Sequence, residues 1–113
     1  MTSFPGCKDC LIHYGMYRSY ISVAHKVDLA VEKLVKAYPN SKIVLTGHSL
    51  GAALSEICAM DLFKRYGSKI KEVHNFGAPR IGNTHLAKFV HENIPIVFRV
   101  THNKDLAPHL PPT

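Results

Sequence analysis

Ser49 lies in the run Gly47-His48-Ser49-Leu50-Gly51, a G-x-S-x-G pattern. A serine hydroxyl is a poor nucleophile. To attack a carbonyl carbon it must stand clear of its surroundings, where a base can reach it. A sharp turn from a strand into a helix achieves this, at the cost of a strained serine backbone. The residues two before and two after the serine are expected to be crowded, which calls for Gly47 and Gly51. The start of the following helix offers free N–H groups and a positive dipole end. The N–H of Leu50 is placed to stabilise the oxyanion formed on attack, and one such donor is worth roughly 3 kcal/mol in the transition state. A bare G-x-S-x-G also describes a turn closed by a capping serine, so the flanking elements decide between the two.

Those flanks read clearly. Lys42 to Thr46 is KIVLT, a short β-branched apolar run, hence a buried strand. Ala52 to Tyr66 is apolar on most sides for three turns, which predicts a buried helix, and Gly67 is placed to cap its end. Ala52 and Ala53 allow that helix close approach to the strand. Upstream, Tyr20, Val23, Val27, Val31, Leu34, Val35 and Tyr38 recur at helical spacing until Pro39-Asn40. Downstream, Lys69 to Phe76 is a weaker strand and Gly77 to Arg80 a loop. Asn83 can cap a short helix through His91, and Ile94 to Thr101 is a strand with Ile96, Phe98 and Val100 alternating. Helix, strand, helix, strand, helix, strand predicts parallel strands with helical crossovers, an α/β architecture. Sites in such sheets lie at the carboxyl ends of the strands. Ser49 and Asp105 each follow the end of an expected strand, so Asp105 is the candidate acid that would orient a histidine base. The alternative for Asp105 is a loop aspartate making local turn bonds before Pro108.

With 113 residues the chain is long enough for one small domain with one core. Its 46% hydrophobic and 19% charged residues exclude a disordered tail. No run of about 18 apolar residues occurs, and Met1 to Gly6 lack the layout of a signal peptide. The net charge of +6 is scattered, without a block of like charges or an interleaved aromatic ladder. That argues for a solvated surface ahead of a preference for anionic lipid surfaces or nucleic acid. Cys58 falls in the apolar helix, as a buried thiol would. Cys7 and Cys10 form C-x-x-C, open to a disulfide, to free thiols or, with His13, to three of four zinc ligands.

Three stretches carry a resemblance. Thr46 to Ser55 reads TGHSLGAALS, Phe76 to Asn83 reads FGAPRIGN, and Arg99 to Pro112 reads RVTHNKDLAPHLPP. A looser match lies at Ile12-His13-Tyr14-Gly15-Met16. In this order they resemble the class 3, fungal-type triacylglycerol lipases of the α/β-hydrolase fold. The resemblance implies a partial α/β-hydrolase domain over residues 1–113. It implies Ser49 as nucleophile, Asp105 as acid and Leu50 N–H as one oxyanion donor, with His48, Arg80 and Asn83 in structural places. It implies hydrolysis of lipid carboxylic esters through an acyl-serine intermediate, with no cofactor or metal, and transient contact with a lipid–water interface. The family's first oxyanion donor precedes the VH-x-G signature, and its histidine follows the acid by several tens of residues. Neither falls within this chain, so the isolated 113 residues are expected to be nearly inactive. His109 is too close to Asp105 to serve as the base. A non-catalytic remnant acting as a binding module, or an acyltransferase, are the other readings; a secreted or lumenal setting is weakly favoured.

Overall fold

The structure is a computed structural model and describes residues 1–94 and 96–100. A two-residue antiparallel ribbon, β1 (Thr2–Ser3) and β2 (Leu11–Ile12), opens the chain. Then follow α1 (Tyr14–Ala37), β3 (Ile43–His48), α2 (Leu50–Tyr66), β4 (Ile70–Phe76), α3 (Thr84–Asn93) and β5 (Ile96–Val100). The last three strands form one parallel sheet in the order β3-β4-β5. Parallel neighbours require crossovers, and α2 and α3 supply them.

Each helix begins and ends for a local reason. His13 caps α1, its Nδ1 accepting the Met16 N–H at 3.2 Å. Pro39 follows the last turn, where the Tyr38 N–H donates to the Leu34 carbonyl. Lys69 then reaches over to donate to the carbonyls of Pro39 and Ser41, fixing the turn into β3. Gly67 ends α2 with a φ of 54° and donates its N–H to Phe63, as its place in the sequence predicts. Asn83 caps α3 by accepting from the Leu86 N–H at 3.0 Å, and the helix runs two residues beyond the expected His91. The same Asn83 side chain accepts from the Leu11 N–H and donates to the Asp9 carbonyl, so it ties the opening ribbon to α3.

The core lies between α1, α2 and one face of the sheet. Ile57, Met60 and Leu62 of α2 meet Ile70 and Val73 of β4, with Tyr20, Phe4 and Ile12 closing the side. Tyr20 donates its hydroxyl to Asp61 at 2.8 Å, so the one fully buried residue of α1 carries its polar end to a partner on α2. Cys58 is a buried free thiol, as expected, and burial pushes it up to about 11.

Four readings need correction. The inner stripe of α1 runs through Tyr17, Tyr20, Ala24, Val27 and Val31, while Val23, Leu34 and Tyr38 are exposed. A stripe at three- and four-residue steps is narrower than the full apolar set, because α1 packs chiefly on α2. β3 is longer than KIVLT, reaching His48, and it is an edge strand among the described residues. Val44, Thr46 and His48 are exposed and only alternate positions are half-buried. In β5 the alternation is present, but Phe98 and Val100 stand on the exposed face and Val97 on the half-buried one. The Cys7–Cys10 pair is a disulfide and His13 is spent on capping, so the three-ligand zinc reading falls.

Candidate active site

The register sets the geometry of the site. His48 pairs with Phe76, and Phe76 with Val100, so the three strands end level. Their exits are then stitched together. The Ser49 N–H donates to the Phe76 carbonyl at 2.8 Å, and the Gly77 N–H donates to the Val100 carbonyl at 2.8 Å. Ser49 thus stands at the carboxyl edge of the sheet, between β3 and the first residue of α2.

Its backbone has φ 54° and ψ −122°. A non-glycine residue with positive φ is strained by about 1–3 kcal/mol and persists only where its surroundings over-determine it. Here the bond to Phe76 fixes the N–H. The carbonyl accepts from the N–H groups of Ala52 at 3.0 Å and Ala53 at 3.2 Å. Meanwhile the side chain makes no capping bond to the helix, although Ser49 occupies the N-cap position. A capping serine would spend its oxygen on the N–H two or three residues on. Ser49 does not, so the reading as a plain turn with a capping serine fails.

Beneath this turn, Ala52 and Ala53 are 0% exposed, and α2 lies tight against β3 as their size predicts. Gly47 shows how tight. A Cβ there would run into the Gly51 carbonyl and stand 2.7 Å from the Ala52 nitrogen. The expected crowding at Gly51 is not found among the described residues, where a Cβ on Gly51 would meet nothing within 4 Å. The reason is directional: Gly47 points at the helix backbone, whereas Gly51 turns its Cβ position away from the strand. Leu50 opens α2, where a first-turn N–H has no acceptor within its own helix. Asp105 and His109 lie outside the described residues. The strand leading toward Asp105, β5, ends at the same sheet edge as Ser49.

A polar network not foreseen from the sequence lies under this edge. Asn75 of β4 is only 1% exposed. Its Nδ2 donates to Glu56 Oε2 of α2 at 3.1 Å, and its Oδ1 accepts from Ser55 Oγ at 3.0 Å. Arg99 of β5 pairs in register with Asn75 and donates from Nη2 to the Ala78 carbonyl at 2.8 Å. Glu56, Arg80 and Arg99 line one cavity of about 190 Å³. Burial pushes the Glu56 carboxyl up to about 7, against the opposing pull of the Arg99 guanidinium. The sequence does set an acid among apolar residues of this helix, seven positions from Ser49, but nothing in it names Asn75 as the partner.

A strained strand-to-helix turn at the carboxyl edge of a parallel sheet, with helical crossovers, is the arrangement of a partial α/β-hydrolase fold. Comparison with known proteins agrees. Residues 1–113 match the family described as lipase (class 3). A lipase of Rhizopus niveus is 36% identical over 115 residues, covering 98% of this chain and 29% of that protein. A secreted mono- and diacylglycerol lipase of Fusarium solani is 37% identical, covering 91% and 30%. Among solved structures, a triacylglycerol lipase whose catalytic centre is a serine protease triad superimposes with a TM-score of 0.90 at 34% identity. That match covers 98% of this chain and 43% of the other. The chain belongs to the class 3 lipase family. It spans about 30% of the length of these curated relatives.

Two outcomes follow. Gly47→Ala places a methyl group in the Gly51 carbonyl and is expected to destabilise the fold by about 3 kcal/mol, read by chemical denaturation; an unchanged midpoint contradicts the packing described. Glu56 has a folded-state value above its ordinary 4.5. Between these values the folded form keeps a proton that the unfolded chain releases, so this group's contribution is full below about pH 4.5 and is lost as pH rises to about 7. Glu56→Gln is therefore expected to gain stability relative to the wild type from about pH 5 to about pH 8, on the order of 1–2 kcal/mol. Thermal denaturation across that range checks it, and a difference that does not change with pH contradicts it.

Proposed function

We propose that the complete polypeptide hydrolyses carboxylic esters of lipids, acylglycerols being the substrate class, through an acyl-serine intermediate. The observation that carries this reading is the backbone of Ser49, strained at positive φ with a side chain that caps nothing. Strained residues of this kind cluster at active sites, where the strain is part of the mechanism. Ser49 Oγ attacks the ester carbonyl carbon while a histidine of the complete polypeptide takes its proton. Asp105 holds that histidine in the productive tautomer and stabilises its positive form. The negative charge moves to the carbonyl oxygen, where the Leu50 N–H at the head of α2 donates to it. The tetrahedral intermediate collapses, the histidine protonates the departing alcohol, and the acyl group stays on Ser49. Water, deprotonated by the same histidine, then releases the fatty acid and restores the hydroxyl.

The level strand ends support this assignment, because they put the chain leading to Asp105 on the edge that carries Ser49. The substrates named for the relatives, monoacyl-, diacyl- and triacylglycerols, support the substrate class. Transient contact with a lipid–water interface belongs to the same proposal, since such esters are presented at one. No helix among the described residues is long and apolar enough to cross a membrane.

The test is ester hydrolysis by the complete polypeptide, with p-nitrophenyl butyrate as soluble substrate and tributyrin as emulsion. Ser49→Ala is expected to lower kcat by at least ~10⁴-fold on both, with the fold intact by circular dichroism. Wild-type turnover in Ser49→Ala would remove the assignment.

A further inference from the structure

The network beneath the elbow links the three elements that matter for the reaction. Glu56 is on α2, whose first residue follows Ser49. Asn75 is on β4, whose last carbonyl holds the Ser49 N–H. Arg99 is on β5, which leads toward Asp105. The Glu56 carboxylate accepts from Asn75 Nδ2 at 3.1 Å and shares the cavity of about 190 Å³ with Arg99. Resting on the hydrolase reading above, we propose that Glu56 is a positioning residue: its carboxylate holds α2, and with it Ser49, against β4 and β5, and protonation of that carboxylate loosens the setting.

The charges facing Glu56 give the direction. From β5 comes Arg99, and from the loop after β4 comes Arg80; both line the cavity, and each engages other groups as well. β4 contributes the neutral Asn75 and α2 itself the neutral Ser55. The α3 residues lining the cavity, Thr84, Leu86 and Ala87, carry no charge. Every described charge on this face of the network apart from Glu56 is thus positive. An ionised Glu56 attracts Arg99 across the gap between helix and strand and remains the acceptor for Asn75. A protonated Glu56 keeps the acceptor but loses the attraction, and α2 is then left to its packing on β3 and β4, with nothing drawing it toward β5. The burial that raises its proton affinity places this change within the range where esterases are assayed.

The experiment compares kcat of wild type and Glu56→Gln in the complete polypeptide from about pH 5 to about pH 8, with p-nitrophenyl butyrate. Glutamine imitates the neutral form. At about pH 8 the wild type is expected to be about tenfold faster, below the ~100-fold that a 1 Å displacement of reacting groups costs. The ratio is expected to fall toward one as pH drops through about 7 to about 5, with KM unchanged throughout. Taking the ratio removes the histidine's own titration, which both proteins share. A ratio that is the same at every pH, or equal to one throughout, overturns the proposal, because a purely structural role makes Glu56→Gln the more stable protein at about pH 8 and gives the wild type no advantage in kcat there. If Glu56→Gln does not fold, Glu56→Asp is read instead. It keeps an ionisable group at a shorter reach and is expected to shift the acid limb of kcat; an unshifted limb overturns the proposal. Ser49→Ala runs alongside. If it is silent while the ratio is flat, only the Glu56 proposal falls; if it is as active as wild type, the hydrolase reading falls and takes this one with it.

Discussion

Everything at this edge depends on one backbone hydrogen bond, from the Ser49 N–H to the Phe76 carbonyl. A residue with a Cβ does not stay at φ 54° unless something holds it there. That bond becomes available only because β3 and β4 end level, which in turn rests on the parallel register from Val44 opposite Glu72 to His48 opposite Phe76. The same stitch recurs one strand over, from Gly77 to Val100. A slip of one residue would exchange the two faces of β3 and unseat Gly47 from the helix. The turn, the register and the glycine are therefore one constraint seen from three sides.

Helix α2 has two duties that pull against each other. Its flank buries Ala52, Ala53, Ile57 and Met60 and supplies much of the core. Its head must hold a strained residue at the edge of the sheet. Placing Glu56 among the apolar residues of such a helix weakens the fold where the carboxylate is ionised, because burial disfavours charge. The same charge draws helix and sheet together above the cavity. Stability and positioning thus favour opposite protonation states of one side chain, a trade-off seen where sites are strained for use.

Much of this was legible in the sequence. G-x-S-x-G after KIVLT and before a helix rich in alanine fixes an elbow, since only small residues fit where helix and strand cross closely. Asn83 and Gly67 announced their caps through local chemistry alone. What was not legible depends on partners far along the chain. Which apolar residues of α1 face inward is decided by the angle at which it meets α2, and so Val23 and Leu34, apolar at helical spacing, are exposed. The crowding at Gly47 but not Gly51 follows from the direction of a Cβ vector, which the symmetry of the motif hides. The Glu56–Asn75 contact joins residues 19 apart on different elements, and neither residue alone signals it.

The most direct measurement is to treat the complete polypeptide with a fluorophosphonate and map the adduct by peptide mass spectrometry. A single stoichiometric adduct on Ser49 is expected, formed at a rate that follows ester hydrolysis and lost on prior denaturation. An adduct on another residue, or full hydrolytic activity with Ser49 unmodified by an excess of probe, would contradict it.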